Sequence, residues 1–250
     1  MNRRDILKAG VAAGAALALP TRVFAQAAPD RRTRRLLDIA AREVARAGNV
    51  LWRRDVVGIA DFGLHSSWPR FHFVDLESGT VNSALVAHGS GSDPEHDGWL
   101  NGFSNLPDSW ATSRGAYISW EWYEGRYGTS VRLGGLDADN SNAFSRAIVL
   151  HQASYVTPEH VAQWGRCGRS NGCPAFGPDV FPQALSRLSG GRLIFADTLG
   201  IGPAGEDMAM PYQTPVDFER IAARNRAPAE PASDELARIY AEANPGLNPD

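Results

Sequence analysis

Cysteine is nearly absent: the 250 residues hold two, Cys167 and Cys173. Two thiols cannot build the disulfide framework on which small secreted folds depend. Their spacing is also wrong for a zinc site. The run Asp137-Ala-Asp139-Asn140-Ser-Asn142 lacks the glycine and terminal glutamate of a calcium loop, so no metal site and no cofactor is expected. An excess of one charge is missing too: 25 Lys and Arg face 28 Asp and Glu, for a net −3. The only basic cluster, Arg31–Arg35, is short and not interleaved with aromatics, which excludes a nucleic-acid surface. No apolar run is long enough to span a bilayer, and no internal repeat is visible.

What is present begins with a leader. Arg3 and Arg4 precede the short apolar stretch Val11–Pro20, and Val23-Phe24-Ala25 offers a small-x-small cleavage site. Arg-Arg-x-Ile-Leu-Lys has the form of a twin-arginine export signal, with an ordinary secretory signal as the alternative. The expectation is a signal over 1–25, a mature chain from about Gln26, and a periplasmic, monomeric protein with no stable membrane insertion once the signal is removed. About 220 mature residues suit one domain with an ample core.

Along the chain, Leu36, Leu37, Ala40 and Val44 recur at helical spacing before Gly48, which predicts a docking helix within 26–54. RFHFVDL and VNSALVAHG, with Gly79 between them, read as a hairpin. Residues 93–110 form a long polar loop, in which Asp93, Glu95, His96 and Asp97 read as solvated. AYISWEWY and TSVRLGG read as a second hairpin, SRAIVLH as a buried strand and GRLIFAD as a last strand. Short helices are expected over 157–165 and about 179–189. Residues 201–250 read as a peripheral Pro/Ala/Glu-rich tail with short helices at 215–224 and 234–243. The core fold, 55–200, is expected to be mainly β with a few helices, mainly antiparallel, as a sandwich or barrel-like sheet.

One stretch carries chemistry. In RSNGCPAF, Cys173 follows Gly172 and precedes a proline. Packing, a disulfide, a metal and a nucleophile are the options for such a thiol. A nucleophilic cysteine needs a nearby base and backbone N–H donors for an oxyanion. Gly172 permits a sharp turn that could present the 172 and 173 N–H groups. His151, at the end of the buried strand, could supply the base. On spacing alone, a buried core cysteine and a structural histidine are the commoner case.

The ordered segments Ala-His-Gly (87–89), Phe-Ser-Asn (103–105), Ser-x-Gly-x-Tyr (113–117), Arg-Leu-x-Gly-Leu (132–136), Arg-Ala-Ile-Val-Leu-His (146–151), Ala-x-Tyr-Val (153–156) and Gly-Arg-Ser-x-Gly-Cys-Pro-Ala (168–175) change that balance. Together they resemble the murein L,D-transpeptidase catalytic-domain family, the YkuD-type cysteine transpeptidases, in the branch with Cys-Pro-Ala after the glycine. The resemblance spans roughly 55–200. It implies a YkuD-like β-rich fold, peptidoglycan stem peptides as the partner, and an acyl-enzyme on the cysteine that a neighbouring amine attacks. It implies Cys173 as nucleophile and His151 as base then acid. Ser170, Asn171 and Gly172 would shape the turn, and the Gly172 and Cys173 N–H groups would form the oxyanion hole. Tyr117 would line the substrate path, with His88, Asn105 and Arg169 as lesser substrate-side candidates.

The sequence departs from that family in three places. Gln152 stands where glycine usually follows the histidine. Ala175 stands where the widespread branch has arginine, so a substrate carboxylate needs another partner, with Arg146, Arg166 and Arg169 as candidates. Cys167 replaces an aliphatic residue; it either packs as a small hydrophobe or pairs with Cys173 as a redox latch. No motif encodes the acyl acceptor. A hydrolase on the same substrates (carboxypeptidase, endopeptidase or amidase-like) and a non-catalytic wall-binding module are the competing readings.

Overall fold

A computed structural model describes residues 29–125, 128–209 and 213–226. The leader and the tail helix expected at 234–243 lie outside the described residues.

The first helix, α1 (Arg31–Ala47), begins where the Asp30 side chain accepts the Thr33 N–H and ends at Gly48, whose φ of 61° suits glycine. Its buried stripe, Leu36 and Ala40 with Leu37 and Val44 partly covered, lies on one face of the sheet against Val57, Ile59, Val74, Ile118, Leu193 and Phe195. Each fully buried aliphatic side chain there contributes about 1.5–3 kcal/mol. Polar ties fix the helix ends. Arg46 bridges Glu43 and Asp137, and Arg32 donates to the carbonyls of Ile201 and Gly202 at 2.9 and 2.7 Å.

The described strands are β1 (Val56–Asp61), β2 (Phe71–Asp75), β3 (Thr80–Ala84), β4 (Gly115–Gly125), β5 (Gly128–Gly135), β6 (Val149–Gln152), β7 (Ala175–Phe176) and β8 (Leu193–Asp197). They form one eight-stranded sheet in the order β3-β2-β1-β8-β4-β5-β6-β7. Both expected hairpins are present, β2–β3 and β4–β5, with Gly79 at φ 67° in the first turn. The sheet is mainly antiparallel, with two parallel pairs, β1 with β8 and β6 with β7.

Strand β1, VVGIAD, is buried on both faces: Val57 and Ile59 point to the α1 side, Val56 and Ala60 into the larger core. Such a strand shows no alternation of apolar and polar residues. The strand expected over 145–151 is shorter, starting at Val149. Residues before it curl into a turn in which the Ile148 N–H reaches Ala143 O and Ala147 sits at φ 54°.

The helices α2 (Pro158–Trp164) and α3 (Phe181–Leu188) follow their expected positions, α2 with Thr157 as N-cap and Gly165 in the left-handed region. Helix α4 (Phe218–Arg226) starts later than expected. The larger core gathers Phe62, Phe71, Phe73, Val131, Leu133, Phe176 and the α3 residues Phe181, Ala184 and Leu188.

Candidate active site

The short strand β7 sets the position of Cys173. Its parallel register pairs His151 with Ala175 and Gln152 with Phe176. Two residues earlier, Cys173 therefore lies alongside Val149, and the Val149 N–H donates to Cys173 Sγ at 3.5 Å. The thiol in turn faces Ala147 O at 3.8 Å. In the same register His151 lies beside Ala175, two residues along the chain from Cys173. Both groups are buried, Cys173 at 9% exposure and His151 at 2%.

Electrostatics fixes the protonation states. Burial pushes the Cys173 thiol up to about 11, while the Val149 N–H and the Arg146 guanidinium pull the other way. The resting group is a neutral thiol. Burial holds His151 below the ordinary histidine range, opposed by its bond to Gln152. His151 Nδ1 lies 2.9 Å from Gln152 O. A carbonyl can only accept, so the proton sits on Nδ1 and Nε2 keeps its lone pair. The residue that departs from the family pattern, Gln152, thus orients the ring through its main chain.

The 170–173 turn is held from three sides. Ser170 Oγ donates to Cys173 O at 2.6 Å and accepts the Gly172 N–H at 3.2 Å. The Gly172 N–H is engaged inside the turn, and the Cys173 N–H is the donor left without a partner among the described residues. The 87–90 segment runs beside the turn, with Ala87 N–H on Ala175 O, Ser170 N–H on His88 O and Ser90 N–H on Ser170 O. Glycine is required where these chains touch. A Cβ on Gly89 would fall 2.7 Å from the Gly172 Cα, and one on Gly172, at φ 110°, would fall 2.6 Å from Ala111 O. On the third side Arg146 binds Ser104 O and Ala111 O, anchoring the 104–112 loop.

Other expected site residues take varied positions. Asn171 lines an open cleft of about 370 Å³ together with Trp110, Arg146 and Ala147, the residue whose carbonyl meets the Cys173 thiol. Tyr117 is buried in the larger core with its hydroxyl on Ser113 O, so it stands beneath the thiol rather than on the cleft wall. Asn105 laces its loop to Ala138, Ser141 and Asn142. Arg169 donates to Asp93 O and Pro94 O. His88 is fully enclosed: its Nδ1 accepts from Arg70 Nη2 at 2.7 Å, and its Nε2–H donates to Asp93 Oδ2 at 3.1 Å. Burial, seconded by Arg70, lowers His88 to about 4, so it is neutral.

Two residues of this network were not singled out as site-forming in the sequence. Arg70 is wholly buried, on the carbonyls of Leu64 and Val86. Asp93, expected to be solvated, is also wholly buried and accepts the N–H groups of Asp97 and Gly98; a carboxylate bonded to main-chain N–H groups just after a Gly-rich turn is its only sequence signature. Cys167 packs against Ala87, Ala153, Val156 and Ala175, with its Sγ directed at Ser66 O at 3.0 Å. The thiol lies in a separate apolar cluster from Cys173, and both are free. The packing reading of Cys167 stands.

The segments that converge on Cys173 are those of a described domain: residues 34–196 match the L,D-transpeptidase catalytic domain. The chain belongs to the L,D-transpeptidase catalytic-domain family. Residues 1–20 match the twin-arginine translocation signal sequence, which directs export to the periplasm or cell envelope. Similar solved structures include an L,D-transpeptidase from Mycobacterium smegmatis (18% identity, 57% of this chain and 58% of that one, TM-score 0.36). Another is L,D-transpeptidase 3 from Mycobacterium tuberculosis with a faropenem-derived adduct (14% identity, 57% and 60%, TM-score 0.38). A third is an L,D-transpeptidase from Stackebrandtia nassauensis (12% identity, 63% and 64%, TM-score 0.35). The chain spans less than two thirds of the length of each of these three. No curated protein matches it. Within the L,D-transpeptidase domain the match covers every strand of the sheet, whereas α4 lies beyond it.

Proposed function

We propose that the protein is a cysteine-dependent acyltransferase acting on peptidoglycan stem peptides, with Cys173 as nucleophile and His151 as base. The observation that carries the reading is the His151 tautomer: Nδ1–H on Gln152 O makes Nε2 the proton acceptor, on a strand whose Val149 N–H contacts the Cys173 thiol. Substrate entering by the cleft at Ala147 and Asn171 meets a neutral thiol. His151 Nε2 takes the Sγ proton as Sγ attacks the scissile carbonyl. The Cys173 N–H faces the developing oxyanion. Collapse breaks the C–N bond, the imidazolium returns its proton to the departing amine, and the acyl group rests on Sγ as a thioester. The amine of a second stem peptide, deprotonated by His151, then attacks the thioester and releases the thiol.

Water in place of that amine gives the hydrolase reading. The family match favours transfer, so cross-linked product is the expected outcome. The test is incubation of wild type and Cys173→Ala with purified muropeptides and mass analysis. Cross-linked dimers from wild type and none from the variant are expected. Cleavage products alone establish the hydrolase instead, and full turnover by Cys173→Ala removes the nucleophile assignment.

A further inference from the structure

A second cleft, of about 330 Å³, lies beside the cleft lined by Ala147 and Asn171, and the two share Trp110 as a wall. The 169–171 segment also serves both: Arg169 lines one and Asn171 the other. The far wall of this second cleft is helix α4, through Ile221 and Arg224. Its lining holds two guanidinium groups, those of Arg169 and Arg224, and no acidic side chain.

The fold holds α4 there deliberately. Asn225 Nδ2 donates to Asp108 O at 2.7 Å, Arg226 pairs with Asp108 at 3.5 Å, and the chain leading into the helix binds Leu100 O and Asn101 Oδ1. Asp108 and Trp110 both sit in the left-handed region, at φ 61° and 52°. That conformation is costly for a bulky residue, and it keeps the Trp110 ring 37% exposed at the ridge between the clefts.

Arg169 donates to the carbonyls of Asp93 and Pro94, and the Asp93 carboxylate is near enough to act on its charge. Arg224 forms no ion pair among the described residues, although its neighbour Arg226 does. Arg224 also lines an adjoining hollow with Glu95 and Asp217. Two planar guanidinium groups on one cleft whose own lining holds no acidic side chain match a carboxylate.

We infer that α4, outside the matched catalytic domain, completes the substrate site: the cleft between α4 and Trp110 binds a peptide carboxylate through Arg224 and Arg169. This inference rests on the stem-peptide reading above, with the two clefts joined at Trp110.

The test is calorimetric binding to the Cys173→Ala protein, in which turnover plays no part. One ligand is a purified stem peptide with free carboxylates, the other the same peptide with its carboxylates amidated. Charge-assisted hydrogen bonds imply that the free acid binds about tenfold or more tighter. Arg224→Ala in the same background abolishes that difference, and Arg224→Lys restores part of it. Equal affinity for acid and amide, or discrimination that survives Arg224→Ala, overturns the inference. If wild type shows charge-dependent binding yet makes no product, the acyl-transfer reading fails and the cleft stands. If it makes product with charge-indifferent binding, the cleft alone fails.

Discussion

Replacing Ser170 by alanine isolates what holds the cysteine turn. Ser170 is 5% exposed, and its hydroxyl serves two buried main-chain groups, Cys173 O and Gly172 N–H. Removing it leaves both without a partner. An orphaned buried group costs about 1–3 kcal/mol, and relaxation toward the adjacent cleft recovers part of that, so a loss of about 2 kcal/mol is expected. For a fold of this size, that lowers Tm by roughly 4–8 °C. The effect on chemistry is separate. A freed turn lets Cys173 drift relative to His151, and a displacement of about 1 Å is enough to slow reaction on the order of a hundredfold. The assays are urea unfolding and the rate of Cys173 acylation by a carbapenem, followed by intact mass. A variant that loses stability but acylates at the wild-type rate refutes the argument. It would mean that the Gly89–Gly172 contact and Arg146 position the thiol without Ser170.

Three further outcomes follow from the same groups. His151 is held below the ordinary histidine range by burial, so the acid limb of kcat/KM lies below pH 6.5; a limb above 7 removes His151 as the free base. His72 and His88 are lowered to about 3 and about 4, chiefly by burial, so the unfolded chain takes up their protons first. Their stabilisation is complete above about pH 6.5 and is lost as pH falls toward the folded values, at about 1.4 kcal/mol per pH unit for each. Urea midpoints that stay flat from pH 7 to 5 contradict this. Cys167→Ala costs about 1–2 kcal/mol from lost packing and leaves reductant recovery after mild peroxide as in wild type; a recovery that depends on Cys167 restores the redox latch.

The elements with one dry and one wet face were legible in the sequence. Leu36 and Ala40 mark α1, Gly79 marks the first hairpin turn, and Thr157-Pro158 with Gly165 brackets α2. Strand β1 was not: burial on both faces leaves no alternation, and Gly58 interrupts the apolar run that marked the equally buried β8. Nor was β7, where two residues, Ala175 and Phe176, are too few to carry a pattern. Within the proposed site, Cys173 and His151 could be named as candidates because the proposed chemistry needs those residue types and the motif is ordered. The supports were hidden. Asp93 reads as a loop carboxylate until the fold buries it against His88, and the Gly172 N–H reads as free until Ser170 Oγ is placed on it.

The strap from Arg32 to Ile201 and Gly202 joins residues 169 and 170 positions apart, and β1 at the sheet centre pairs with the late strand β8. The middle of the sheet is therefore assembled from the two ends of the chain. During synthesis, β1 can pair with β2 on one edge at once, but its other edge waits until residues 193–197 follow. Contacts of such long sequence separation form slowly, because the loop between them must close first. Folding of this domain is gated by its final segment, and a chain that stops short of Leu193 keeps the apolar edge of β1 open to any other strand it meets.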